Sequence, residues 1–192
     1  MMPPYEPNYV FNKFPKLGML FLFYLWMTIG LISDTHSFLD PKVFDYFQAC
    51  DEIWHAGDIG EAKVIDDLAS FKPVRAVYGN IDDKSIRLRY PEKLVFELEG
   101  VKVYMIHIGG TPPRYAKGVK ADLKTEQPKL FICGHSHILK VMPDKALNNM
   151  LYMNPGAAGR QGFHRMRTLL RFELEAGNIK NLEVIELGKR GA

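Results

Sequence analysis

The sequence has few cysteines and no tract of a single charge sign. Its 192 residues include only two cysteines, Cys50 and Cys133, which stand far apart and form no CxxC pair. Neither a disulfide framework nor a zinc ribbon is therefore expected. Subtracting 22 acidic from 25 basic residues leaves a formal charge of +3, which gives no excess charge for binding a polyanion. These absences exclude several classes of protein and name no function.

The first 26 residues differ in composition from the rest. Residues 1–16 carry four prolines without helical or strand periodicity, and an uncharged apolar run extends from Leu17 to Ile32. A membrane-spanning helix needs about 20 apolar residues, and Thr28 to Ile32 already has the pattern of a buried strand, so no transmembrane helix is expected. A signal peptide is a rival interpretation, but no small-residue cleavage site precedes the strand.

We therefore treat residues 1–26 as an N-terminal extension. One interpretation is translated sequence upstream of a natural start at Met27; the others are a membrane-associating arm and a segment packed on the domain. The remaining residues, 27–192, are expected to form a single domain of a cytoplasmic protein, with membrane association as the minor alternative.

From Met27 onward, short apolar runs alternate with amphipathic stretches. Strand-like TIGLIS, EIWH and VRAVYG are separated by helical patterns that begin at Pro41 and Glu61. This order predicts parallel strands with right-handed crossovers. In the second half, a hairpin is expected at Glu99-Gly100, strands are expected at KLFIC and NMLYMNP, and a last hairpin is expected at residues 176–178. The sequence thus predicts one α/β domain with a parallel half and a largely antiparallel half.

Residues able to bind a metal follow several of the predicted strands. They are Asp34, His36, Asp58, Asn80, His107, His135 and His137. Because the carboxyl ends of strands gather at one edge of an α/β sheet, these side chains are expected to meet there. In the D-x-H and H-x-H pairs, extended backbone would aim both side chains to the same side. A single histidine of this kind is usually a structural hydrogen-bonding group, but the joint arrangement favours a metal site, since clustered charges are costly to desolvate.

The motifs SDTH, HAGD, YGNID, a strand-end His107 and CGHSH resemble, in this order, the five motifs of the calcineurin-like metallophosphoesterases. They are most similar to the compact bacterial and archaeal phosphodiesterase branch, whose late NPGS-type turn is similar to NPGAAGR at residues 154–160. The resemblance covers residues 27–187. It implies a four-layer α/β/β/α sandwich of two mixed sheets flanked by helices.

The resemblance also implies a dinuclear metal site. The ligands of one ion would be Asp34, His36 and His137, and those of the other ion would be Asn80, His107 and His135. Asp58 would bridge the two ions. Such a centre holds its ions about 3.5–4 Å apart and hydrolyses a small phosphodiester by attack of a bridging hydroxide. Manganese is the first expectation for both ions, with nickel, zinc or iron as alternatives, because mixed imidazole, carboxylate and amide donors suit all four.

The catalytic residues implied are Asp58, Asn80, Asp82 and His107. Many phosphatases of this superfamily have a histidine proton donor after the asparagine, but position 81 is isoleucine. The GNxD pattern is typical of the phosphodiesterase branch. Asp82 is expected either to orient the site or to carry a proton; a turn or helix-capping role is an equal alternative. The segment GDIGEAK lacks the arginine of Ser/Thr phosphatases, which argues against a phosphoprotein substrate.

Four further residues are candidates for supporting roles. His55 would hold a metal ligand through its second ring nitrogen, or it would make a structural hydrogen bond in the sheet. Arg114, Arg160 and His164 would contact a substrate phosphate, or they would be solvated loop residues.

Two other functions are considered. A non-catalytic binding scaffold has the same fold, but there the ligand set is incomplete, whereas here every ligand position is filled. A nuclease would share the metal centre, but the mild charge and the lack of an aromatic and basic stripe give no strong nucleic-acid signal. A homo-oligomer is a further expectation, because small members of this branch often self-associate.

Overall fold

The computed structural model describes residues 26–191. The hypotheses about the N-terminal extension therefore concern residues outside the described part, apart from Trp26. Within residues 26–191, no helix is both long enough and apolar enough to cross a membrane.

Strands and helices alternate in the first half of the domain and strands dominate the second. The first half contains β1 (Trp26–Ile32), α1 (Lys42–Tyr46), β2 (Glu52–His55), α2 (Ala62–Phe71), β3 (Val74–Ala76) and α3 (Lys84–Arg89). The second half contains β4 (Lys93–Leu98), β5 (Val101–Ile106), β6 (Gly110–Thr111), β7 (Arg114–Tyr115), α4 (Val119–Glu126), β8 (Leu130–Ile132), β9 (Leu139–Asp144), β10 (Met150–Pro155), β11 (Met166–Glu175) and β12 (Asn178–Lys189).

The large strands form two five-stranded sheets. The first has the order β12-β11-β1-β2-β3, and the second has the order β4-β5-β8-β10-β9. In the first sheet β1, β2 and β3 are parallel, while β11 and β12 are antiparallel to their neighbours. In the second sheet β5, β8 and β10 are parallel, with antiparallel β4 and β9 at the edges. Both sheets are mixed, as the family resemblance implied.

Most strand pairings of the second half are antiparallel, as expected, but β5, β8 and β10 are parallel to one another. Helix α4 provides a crossover between β5 and β8, which are therefore parallel. The sequence did not reveal this helix, because only Val119 and Leu123 are buried in its eight residues. Two apolar positions make too weak a pattern to predict a helix from periodicity.

The alternation of side chains in β1 shows how the layers pack. Ile29 and Leu31 lie in a core cluster between the sheets, together with residues such as Trp54 and Phe172. Gly30 faces the helical layer, where a Cβ atom would lie 2.7 Å from the ring of Phe47. A larger residue there would push the helical layer away from the sheet.

Separate clusters join the helices to the sheets. Val43 of α1, Ile65 of α2 and Ile86 of α3 pack with residues of the first sheet. Leu123 of α4 packs with Phe131 of the second sheet. The architecture is therefore helices, sheet, sheet and helix, which is the four-layer sandwich expected from the resemblance.

Candidate metal centre

The donor residues lie in loops that follow β1, β2, β3, β5 and β8. Their backbone is unusual, because Asp34, His36, Asp58, His135 and His137 all have positive φ angles, between 47° and 68°. Residues other than glycine adopt this conformation rarely, and such strain concentrates at functional sites. The assumption of extended backbone in the D-x-H and H-x-H pairs was therefore wrong. The side chains converge because the loops curl.

Four of the predicted ligands form a first cluster. One ligand atom from each of Asp34, His36, Asp58 and His137 lies within 4.8 Å of the others. The Nε2 atom of His137 is 3.2 Å from Oδ1 of Asp34, and Nε2 of His36 is 3.6 Å from Oδ2 of Asp58. The cluster is mostly buried, with both carboxylates inaccessible to solvent or nearly so.

The other predicted ligands form a second cluster that shares Asp58. Ligand atoms of Asp58, His107 and His135 lie within 4.8 Å of one another. The Nε2 atom of His107 is 3.2 Å from Oδ1 of Asp58 and 3.2 Å from Oδ1 of Asn80. The structure thus brings together all the predicted ligand positions, and Asp58 lies between the two groups.

The donor atoms face one another in a way that suits cations. The Nε2 atoms of His36 and His137 lie 3.2 Å apart. The Nδ1 atom of His107 is 2.8 Å from the carbonyl oxygen of Ala56, and it donates there if the ring is neutral. Its Nε2 atom then presents a lone pair toward oxygen acceptors on Asp58 and Asn80. A divalent ion among these lone pairs would relieve their repulsion, so the residues fit a divalent metal site.

The ionisation of the cluster reflects competition between burial and charge. Burial lowers the pKa of His36, although the carboxylates of Asp58 and Asp34 act in the opposite direction. For His107, burial also disfavours the charged form, but the hydrogen bond that the protonated ring donates to Asp58, together with the charges of Asp34 and Asp58, outweighs it and raises the pKa. Burial would raise the pKa of Asp58, but its contacts with His107 lower it. The carboxylates thus create a negative potential in the site, which favours a cation.

Asp34 and the loop after β8 are held by groups that the sequence analysis did not select. Ser33 donates its hydroxyl to Oδ2 of Asp34 at 2.7 Å. The buried Asn154, at the end of β10, donates through Nδ2 to the carbonyl oxygen of Gly134 at 2.8 Å and to Oγ of Ser136 at 3.1 Å. Asn154 was part of the NPG motif, but the sequence alone gave no indication that it reaches the loop of His135.

Asp82 links two of the ligand-bearing loops. Its Oδ1 atom accepts a hydrogen bond from the backbone N–H of Gly60, and its Oδ2 atom accepts one from Gly79, both at 2.7 Å. The helix-capping alternative for Asp82 was wrong, because the carboxylate of Asp83 caps α3. Arg87 reinforces this loop by donating to the backbone carbonyl oxygens of Asp82 and Asn80, at 2.6 and 3.0 Å.

His55 is fully buried and makes structural hydrogen bonds. Its Nδ1 atom accepts from the N–H of Gly57 at 3.2 Å, so Nε2 carries the proton and donates to Oγ1 of Thr35 at 3.0 Å. Thr35 donates in turn to the carbonyl oxygen of Ile59 at 3.0 Å. Burial lowers the pKa of His55 to about 4, which keeps the ring neutral. The two ring nitrogens thus bond to the backbone amide that precedes Asp58 and to the threonine that stands between Asp34 and His36.

The other three candidates differ in their distance from the clusters. His164 lies beside the centre, with its ring centroid 5.3 Å from that of His137 and its Nε2 atom 3.1 Å from the carbonyl oxygen of Gly159. Arg160 stacks on Phe38 at 4.1 Å. Arg114 is exposed on β7 and, within the described chain, forms no hydrogen bond with the metal-binding candidates.

Comparison with known proteins defines the class to which this fold and site belong. The model of the calcineurin-like phosphoesterase superfamily domain matches residues 27–177. The chain therefore belongs to the calcineurin-like phosphoesterase superfamily, which confirms the expectation drawn from the motifs.

Individual relatives agree with this assignment. A protein of Methanothermobacter thermautotrophicus described as a probable metallophosphoesterase is 34% identical over 137 residues, which cover 68% of this chain and 77% of the relative. The solved structure of an archaeal phosphodiesterase has a TM-score of 0.69 at 21% identity and covers 84% of this chain and 100% of its own. Vps29 of Entamoeba histolytica, solved with Zn²⁺, has a TM-score of 0.60 at 19% identity, with 83% and 99% coverage. The two structures show the similarity of fold.

Proposed function

We propose that the protein is a dinuclear metal-dependent phosphodiesterase that hydrolyses a small phosphodiester. The observation that carries this proposal is the position of Asp58, whose carboxylate belongs to both donor clusters. A carboxylate that belongs to two adjacent sets of donors supports a site for two neighbouring divalent ions.

The two donor clusters support the division of ligands that the family resemblance implied. Asp34, His36 and His137 would hold one ion, while Asn80, His107 and His135 would hold the other. Asp58 would contact both. When bound, two divalent cations lower the pKa of water and neutralise the charge of phosphate oxygens. Manganese is the first candidate, with nickel, zinc or iron as alternatives, because the mixed donors suit all four.

The chain's own residues contribute position. The carboxylate of Asp82 holds the backbone of the loops that present Asp58 and Asn80, so its proposed role is orientation of the site. Both carboxylate oxygens of Asp82 accept hydrogen bonds from backbone N–H groups, which favours orientation over proton transfer. Asn80 is exposed beside buried His107, so its amide is accessible to a substrate phosphate as well as to a metal.

A phosphodiester is favoured over a phosphomonoester for two reasons. The histidine that protonates the leaving group in many phosphatases of this superfamily is replaced by Ile81, whose side chain is 45% exposed and cannot donate a proton. The archaeal phosphodiesterase has the same fold as this chain. Both observations support the assignment of a diester substrate.

The test is hydrolysis of bis(p-nitrophenyl) phosphate by protein reconstituted separately with Mn²⁺, Ni²⁺, Zn²⁺ and Mg²⁺. We expect hydrolysis with at least one transition metal and two ions bound per chain by elemental analysis. Asp58→Ala should abolish activity and reduce metal content, whereas Asp67→Ala, which removes an exposed carboxylate of α2, should change neither. Absence of diester hydrolysis with every metal, or equal activity of Asp58→Ala and wild type, would contradict the proposal.

A further inference from the structure

A cleft with a volume of about 380 Å³ opens beside the second donor cluster. Asn80 and His107 are among the residues that line it. Apolar side chains, among them Tyr78, Ile106 and Ile108, form part of its walls. This volume is within the range of about 300–1,000 Å³ that is typical of small-molecule sites. The cleft is therefore large enough for more than the phosphate group of a diester.

The apolar wall is accessible to a ligand. Ile108 directly follows His107, and 42% of its surface is exposed in the described structure. An exposed isoleucine beside a polar donor cluster gains stability when a ring or hydrocarbon covers it. The wall thus favours an apolar group next to the donor residues His107 and Asn80.

The cationic side chains that line the cleft differ in the contacts that they make with the protein. Arg87 donates to the backbone carbonyls of Asp82 and Asn80, and it stacks on Tyr78 at 4.9 Å. Lys117, by contrast, is exposed and forms no ion pair with any residue in the range 26–191. Glu92 also lines the cleft and is exposed. The ammonium group of Lys117 is thus available to an anionic ligand.

We propose that this cleft binds one ester arm of the substrate, and that this arm carries an apolar or aromatic ring together with a second negatively charged group. The ring lies against Ile108, and the negative charge pairs with Lys117. This inference rests on the proposed phosphodiesterase function and specifies its substrate class.

Two diesters with the same leaving group test the charge preference. They are p-nitrophenyl benzyl phosphate and p-nitrophenyl 4-carboxybenzyl phosphate, which differ only in the second charge. For the wild type, we expect KM to be about three- to tenfold lower for the carboxybenzyl ester, the range of an exposed to partly desolvated charge pair. Lys117→Gln should remove most of this ratio. The matched variant Lys120→Gln, which removes an exposed lysine outside the cleft, should retain it.

The apolar preference has its own pair of variants. Ile108→Ser should raise KM for the benzyl ester about threefold, because about 25 cal/mol per Å² of covered apolar surface is lost. Leu88→Ser removes an apolar side chain on α3 that is 77% exposed and does not line the cleft, so it should leave KM unchanged.

The outcomes separate this inference from the proposed function. Hydrolysis of both diesters with equal KM, or loss of the ratio in Lys120→Gln as much as in Lys117→Gln, would overturn the inference and leave the phosphodiesterase function standing. Failure to hydrolyse either diester by protein that hydrolyses bis(p-nitrophenyl) phosphate would overturn the inference alone, and failure to hydrolyse all three diesters with every metal would overturn both.

Discussion

The side-chain amide of Asn154 donates a hydrogen bond to the carbonyl oxygen of Gly134 at 2.8 Å. This contact joins the end of β10 to the loop that presents His135 and His137. Because Asn154 is fully buried, no water replaces the contact if the donor is lost.

We predict that Asn154→Asp weakens metal binding. The substitution places an oxygen opposite the carbonyl oxygen of Gly134, and the resulting repulsion moves the loop and its histidines. Loss of an outer contact of this kind reduces metal affinity by about 10–100-fold. Calorimetric titration with Mn²⁺ measures the change. Asn149→Asp, at an exposed position, should bind like the wild type, and equal affinities for all three proteins would contradict the prediction.

Asp82 and Asp83 provide a matched pair of substitutions. Asp82→Asn leaves one of two backbone N–H groups, that of half-buried Gly60 or that of buried Gly79, facing an amide nitrogen. An unsatisfied buried donor costs about 1–3 kcal/mol, which urea unfolding measures as a lower free energy of unfolding. Asp83→Asn should have little effect, because asparagine caps a helix about as well as aspartate.

The Asp82→Asn variant also tests whether Asp82 orients the loops or transfers a proton. If Asp82 only orients the loops, Asp82→Asn lowers activity and leaves the shape of the pH profile unchanged. A limb of the profile that disappears in Asp82→Asn would instead identify Asp82 as a proton carrier and contradict the proposed role.

The lack of a side chain at Gly162 leaves space for the imidazole of His137. Gly162 has a φ of +108°, and a Cβ atom there would lie 2.1 Å from Nδ1 of His137. We predict that Gly162→Ala displaces the imidazole and lowers both bound metal and diester hydrolysis. The expected loss is about tenfold or more, the size typical when a group that orients a metal ligand is disturbed. Gly177→Ala has similar backbone strain at a φ of +77°, but its nearest contact is an ordinary 3.4 Å. The Gly177→Ala control should lose some stability and keep its activity. Equal activities of Gly162→Ala and Gly177→Ala would contradict the prediction, because they would show that the imidazole of His137 moves without loss of function.

The sequence was sufficient to predict which residues form the two donor clusters, because each donor follows an apolar run that forms a strand. Asp34 follows β1, and His135 follows β8, so strand ends could be found from burial patterns alone. The hairpin at Glu99-Gly100 was equally visible, since two strand-like runs flank a turn pair.

The contacts that hold the site in place could not be predicted from the sequence. Asn154 lies 20 residues from Gly134, and no local pattern predicts their hydrogen bond. The curled backbone at His36 and His137 was missed for the same reason, because long-range contacts stabilise a conformation that local preference disfavours. The crossover helix α4 was missed because tertiary packing, and not periodicity, holds it in place.

The buried cysteines lead to a prediction about reactivity. Burial raises the pKa of both Cys50 and Cys133 to about 11. The reactive thiolate is therefore scarce and inaccessible at pH 8. Ellman's reagent should detect almost no thiol in the folded protein and both thiols in guanidinium chloride. Rapid reaction of Cys133 in the folded protein would show that the second sheet opens near the metal centre.

The last prediction concerns stability in acid. Arg167 donates to Oδ2 of Asp40 at 2.7 Å, and both side chains are almost fully buried. Burial would raise the pKa of Asp40, but the hydrogen bonds from Arg167 and from the backbone N–H of Lys42, together with the charge of Arg167, outweigh it and lower the pKa below its ordinary value. A carboxyl group with a lowered pKa in the folded state stabilises the protein above its unfolded pKa, and this contribution is lost as the pH falls through the folded value.

Asp40→Asn should therefore reduce the free energy of unfolding by about 2 kcal/mol at pH 7 and by progressively less below pH 4. Urea unfolding at several pH values measures the difference, with Asp67→Asn as the exposed control. A difference between wild type and Asp40→Asn that stays constant from pH 7 to pH 3 would show that the pair does not titrate as a unit.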